Sequence, residues 1–165
     1  MALCVRARCE RDIDDCVGLL RVVHETDAYP LWWPTDPVGW VTGGGAFGSW
    51  VAEATGSLVG HVQLRTADSV PLPVWERGTG VAVNRLGVVG HLFVHPARRR
   101  AGVGRALLDV AVEEAHRRGL RPVLDVLVRN GQACRMYEAC GWRRLGVFSW
   151  EWPSGPEPAY AYALD

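Results

Sequence analysis

Apolar and polar residues alternate over positions 2–9, the two-residue period of a strand with one buried face. From Ile13 the period lengthens. Ile13, Val17, Leu20 and Val23 recur at helical spacing, and Asp12 or Asp14 is placed to cap that helix. Between His24 and Gly45 no period holds; prolines, tryptophans and a GGG run predict irregular backbone. The stretch SWVAEA, TGS, LVGHVQL (49–64) then reads as a β-hairpin. Residues 65–80 are rich in proline and glycine and predict a connection too long for a tight turn, with mobility expected of it.

The second half is more regular. VVGHLFV (88–94) predicts a buried strand ending at His95-Pro96. After RRRAGVG a helix is expected to about Arg118, with Leu107, Leu108, Ala111 and Ala115 inward and Gly119 as its stop. PVLDVLV (122–128) is a further strand, apolar except for Asp125. Asn130 can cap a short helix carrying Ala133, Met136, Tyr137 and Cys140, ended by Gly141. Trp142 to Leu164 predicts two aromatic strands around a WPSGPEP turn. Helices alternating with strands, without an internal repeat, give one α/β domain over 1–165.

Composition narrows the partners. Lys+Arg and Asp+Glu number 18 each in 165 residues, so no net field points to nucleic acid or an anionic membrane. All of the basic residues are arginine, so an arginine at a given position is no sign of choice over lysine. The five cysteines are an odd number without a CxxC pair, which suits free thiols in a reducing compartment. Charge enters too early for a signal peptide and no apolar run spans a bilayer, so a cytoplasmic protein is expected.

The densest positive charge, RRRAGVGRALLD (98–109), lies at the mouth of a helix, where unpaired N–H groups and a positive macrodipole favour an anion. A P-loop is excluded because the chain has no lysine. A dinucleotide fingerprint is incomplete, since Gly102-Val103-Gly104 supplies only its first half. What remains is an [Q/R]xxGxG loop, Arg99 to Gly104. Glycine at 102 and 104 lets backbone N–H groups approach phosphate oxygens, and Arg99, Arg100 and Arg105 can add charge-assisted bonds. By itself the segment also fits a glycine-rich turn with a solvated basic face.

HLFVHPARRRAGVGRALLD, followed one helix and one strand later by NGQACRMYEACGW (130–142), resembles the GNAT superfamily of acyl-CoA-dependent N-acyltransferases over about residues 85–145. The resemblance implies a mixed, mostly antiparallel twisted sheet flanked by helices. A V-shaped split between strands 88–94 and 122–128 would admit the pantetheine of acetyl-CoA. It assigns the cosubstrate to the backbone of Leu92, Phe93 and Val94, to Arg99, Arg100, Ala101, Gly102, Val103, Gly104 and Arg105, and to Asn130 and Tyr137. Tyr137 would protonate the departing thiolate as general acid; read from the pattern alone, it is a core tyrosine. Family members often carry a glutamate on the strand before the loop, whereas this chain has Val88, Val89, Gly90 and His91 there. Asp125 is the candidate general base, with His91 its rival; otherwise Asp125 is a carboxylate paired with Arg121 or Arg129.

The acceptor side falls to HETDAYPLWWPTDPVGW (24–40), where Asp27, Trp32 and Trp33 suit a cationic amine by ion pairing and cation–π contact, unless the tryptophans fill core and the acids are solvated. The expectation is therefore an acetyl-CoA-dependent N-acetyltransferase acting on a primary amine of a small molecule or peptide, by direct attack in a ternary complex and without a metal. The alternative is a catalytically inert acyl-CoA-binding or regulatory module. Pairing of the C-terminal strands between subunits would give a homodimer.

Overall fold

The computed structural model describes residues 2–69 and 73–165. The elements in chain order are β1 (Leu3–Ala7), α1 (Ile13–Asp27), α2 (Pro37–Thr42), β2 (Ala46–Ala54), β3 (Ser57–Thr66), α3 (Pro73–Thr79), β4 (Leu86–Val94), α4 (Val103–Arg117), β5 (Arg121–Leu127), α5 (Gly131–Ala139), β6 (Arg143–Trp152) and β7 (Gly155–Ala163). The strands form a mixed seven-stranded sheet ordered β1-β2-β3-β4-β5-β7-β6, in which only β4 and β5 run parallel. This is the expected mostly antiparallel α/β architecture.

Strand alternation assigns the two faces their helices. Val62, Leu64, Val89, Leu124 and Val126 point to the face covered by α4 and α5, where Leu107, Leu108, Ala111, Ala115 and Tyr137 close the largest core cluster. The opposite face carries Val51 and Phe93 under Cys16, Leu19, Leu20 and Val23 of α1 and Val41 of α2. A third cluster gathers Leu86, Val88, Val123 and Ala161 around Trp75 of α3.

The parallel pair is short. β4 and β5 register only at Leu86↔Arg121, Gly87↔Pro122 and Val88↔Val123, after which they part. β4 continues along β3, and β5 along β7, so the sheet opens into a V between them.

Three local expectations are corrected. The span 65–80 is not a bare connection: it contains α3, begun at Pro73 and anchored by fully buried Trp75, whose Nε1–H donates to the Leu124 carbonyl at 3.2 Å. Residues 70–72 of that span lie outside the described residues. The irregular span 24–45 includes α2, with Pro37 in its first turn and the Asp36 carboxylate accepting from Gly39 N–H at 2.9 Å. Asp12 occupies the N-cap position of α1 without capping it by its side chain. Its carboxylate instead accepts from Cys9 N–H at 2.7 Å and from both Arg6 Nη atoms at 2.8 Å, tying α1 to β1.

Candidate active site

The glycine loop sits where β4 ends. Arg100 (φ 60°) and Gly102 (φ 78°) adopt left-handed backbone conformations, and α4 begins at Val103 with no side chain capping its first N–H groups. Successive amides thus face a common concavity at a positive helix end. Gly102 is required by its dihedral. Gly104 is different: its Cβ would stand 3.4 Å from Met136 Sδ and 3.7 Å from Val94, ordinary contacts the protein itself tolerates. The space saved at Gly104 therefore serves something that approaches the backbone from outside, which fits a pyrophosphate.

The flanking arginines divide. Arg99 forms an ion pair with Asp27, at the C-terminal end of α1. Arg105 lies 3.8 Å from Asp109, both well exposed, and Arg100 is exposed. Asp27, expected beside the acceptor, is thus engaged at the glycine loop.

Alternation also sets the edge of the cleft. His95 N–H donates to the Val59 carbonyl at 2.8 Å, on the β3 side, so Val94 N–H points the other way, into the opening between β4 and β5. Within β4, His91 and Leu92 together oppose Val62, a bulge with His91 at φ 48°. A buried chain of polar groups holds it. Arg8 Nη1 donates to His61 Nε2 at 2.9 Å, so the neutral ring must carry its proton on Nδ1, which donates to the His91 carbonyl at 2.8 Å. Burial lowers the His61 pKa to about 4 and also lowers that of His91. The His91 ring stacks on Trp40 with centroids 3.7 Å apart. A ring held neutral and stacked in this way is a poor rival for the base.

Tyr137 approaches from the α5 face and is 8% exposed. Its ring packs edge-on against Trp142, and its hydroxyl has no hydrogen bond to any described residue. Burial first, then the neighbouring Tyr29 and after it Asp125, pushes its pKa up, which keeps the phenol protonated at neutral pH. Asn130 stands at the start of α5 with its side chain unused for capping and exposed, contrary to the capping expectation.

Asp125 comes from the opposite face of the sheet, through the split. It is half-buried at its surface yet densely surrounded by protein, and that desolvation raises its pKa. Neither arginine considered from sequence pairs with it: Arg121 bonds Asp165, and Arg129 is exposed. Its partner is Trp150 of β6, whose Nε1–H donates to Oδ2 at 3.0 Å. Around Asp125 gather two groups that were not among the expected site residues: Tyr29, whose pKa rises through burial and then the Asp125 charge, and Arg65, whose charge acts on both. The loop carrying Tyr29 is tied to α1 by His24 Nδ1–H donating to the Pro30 carbonyl at 2.7 Å. Trp33 packs between His24 and Arg21, and Trp32 is 51% exposed, so neither tryptophan stands beside Asp125 in the way Tyr29 does.

A visible signal did mark Arg65. His61, Gln63 and Arg65 are polar at alternate positions between apolar Val62 and Leu64, a strand with polar residues on a face that lies inside the protein.

The sequence model of the acetyltransferase (GNAT) family matches residues 20–142. Among solved structures, an N-acetyltransferase from Staphylococcus aureus Mu50 superposes with a TM-score of 0.78 at 16% identity, covering 100% of this chain and 99% of that one. A putative phosphinothricin N-acetyltransferase gives 0.75 at 22% identity, covering 99% and 98%. Arabidopsis thaliana NAA60 in complex with acetyl-CoA gives 0.74 at 19% identity, covering 98% and 97%. No curated protein matches the chain. The family match spans most of the chain: this chain belongs to the GNAT family of acetyltransferases.

Proposed function

We propose that this acetyltransferase moves the acetyl group of acetyl-CoA to a primary amine by direct attack in a ternary complex. The observation that carries the reading is the parting of β4 and β5 after Val88 and Val123. Val94 N–H and Tyr137 meet that opening from the coenzyme side, and Asp125 meets it from the other.

The amides of the Gly102–Arg105 turn would hold the pyrophosphate, with Arg100 and Arg105 as exposed assistants; the open edge of Leu92, Phe93 and Val94 would pair with the pantetheine amides. Asp125, with its pKa raised, would take a proton from the attacking nitrogen. Val94 N–H would stabilise the carbonyl oxygen as it gains charge. As the carbon–sulfur bond breaks, the Tyr137 hydroxyl would protonate sulfur and recover its own proton from solvent. One solved neighbour's name carries an acceptor, phosphinothricin, and another's carries none, so the acceptor has to be read from this chain's own residues.

The test is thiol release from acetyl-CoA over an amine panel. Tyr137→Phe and Asp125→Asn are each expected to lower kcat by roughly 100-fold or more, leaving acetyl-CoA affinity within about threefold. Unchanged turnover in Tyr137→Phe removes the general acid from this scheme.

A further inference from the structure

Arg65 is the penultimate residue of β3 and lies opposite Val88 in register. Val88 in turn lies opposite Val123, two residues before Asp125, so Arg65 and Asp125 share one face of the sheet beside the split. The guanidinium lies across Gly90, where a Cβ would come within 3.0 Å of Nη2. Its Nε is buried and without a hydrogen-bond partner. No described carboxylate forms an ion pair with it, Asp125 included, although the two charges act on one another. Most of the other arginines are exposed, and Arg8 donates to the Val41 carbonyl.

A partly desolvated guanidinium with an unbonded Nε is costly, and its planar fork is suited to a carboxylate, which it can bind through two parallel hydrogen bonds. The same face holds Asp125, whose negative charge suits an ammonium group. Trp150 flanks Asp125 through its Nε1–H bond, and Gly90 and Asp125 both lie beyond Val88 and Val123, the last paired residues of β4 and β5, so the two charges stand on either side of the split.

We propose that the acceptor is a small amino-carboxylate, its amine directed to Asp125 and its carboxylate held by Arg65. This rests on the acetyl-transfer reading above and adds the substrate class. A peptide N-terminus, which has no carboxylate beside its amine, is then a poor acceptor.

The experiment uses the intact chain, acetyl-CoA, the free proteinogenic L-amino acids and their carboxamides. The best free acid is expected to exceed its own carboxamide in kcat/KM by at least about tenfold, the share of a charge-assisted pair. Arg65→Gln should erase that preference by raising KM for the acid about 10- to 100-fold, and should change kcat/KM for the carboxamide by less than about threefold. Arg65→Lys should keep part of the preference. Because no hydrogen bond to Arg65 Nε is lost, the melting temperature of Arg65→Gln should fall by no more than a few degrees.

Equal use of acid and carboxamide by the native protein overturns the proposal, as does an equal loss on both in Arg65→Gln. The first comparison needs no variant. If no acceptor releases thiol while acetyl-CoA still binds, the transfer reading fails by itself, and thermal stabilisation by the free amino acids decides this one. Stabilisation present in the native protein and absent in Arg65→Gln upholds it; no stabilisation overturns it.

Discussion

His61→Gln removes a titrating group from the core while keeping its two hydrogen bonds. A glutamine carbonyl can accept from Arg8 Nη1, and its amide N–H can donate to the His91 carbonyl, the roles the neutral imidazole plays now. His61 is fully buried and stacks on Phe93 with ring centroids 4.9 Å apart. Desolvation lowers its pKa from 6.5 to about 4. Between those values the unfolded chain binds a proton that the native chain refuses. Its contribution is therefore complete above the unfolded pKa and is lost as pH falls towards 4. Integrated to about pH 4.5, the loss is about 2.5 kcal/mol. His91 is depressed in the same direction chiefly by burial, a cause common to both proteins, so most of its contribution cancels in the difference. Urea unfolding of native and variant protein at about pH 7.5 and about pH 4.5 measures it: the native protein should lose about 2.5 kcal/mol more than the variant between the two. Parallel losses would mean that His61 titrates like an exposed histidine, and the Arg8–His61–His91 chain would then not hold the bulge.

Two further outcomes separate binding from folding. Gly104→Ala should raise stability by about 0.5–1 kcal/mol, because its Cβ meets only ordinary contacts in a helical first turn, yet weaken acetyl-CoA about tenfold or more by calorimetry. A loss of stability with unchanged affinity would contradict the reading of that glycine. Trp75→Ala should cost about 3–5 kcal/mol in urea unfolding, since it empties the centre of the third core cluster and leaves the Leu124 carbonyl without its indole donor.

The half of the site proposed for the coenzyme was legible because it is local. The left-handed loop at Arg100 and Gly102, the helix it opens and the tyrosine of α5 are encoded within short windows, and the two blocks stand in the family's order. The half proposed for the acceptor is assembled across the sheet. Asp125 finds its donor in Trp150, and Arg65 meets Asp125 only through the registers of β3, β4 and β5, so no window contains them. The helix α3 escaped for a related reason. Pro73, Gly78 and Gly80 carry the punctuation of a loop, seven residues are too few to show a helical period, and Trp75 holds the helix by tertiary packing. Asp12 had the spacing of a cap, but the bidentate Arg6 partner on the neighbouring strand claims its carboxylate.

The central claim is that the opening between β4 and β5 brings a thioester against the Tyr137 hydroxyl. Single-turnover thiol release from acetyl-CoA, with a reactive amine in the native protein and in Tyr137→Phe at matched saturation, tests it most directly. The account predicts acetylated amine and free thiol in equal amounts from the native protein, and a rate lower by roughly 100-fold in the variant with acetyl-CoA affinity retained. Equal rates in the two proteins would contradict it.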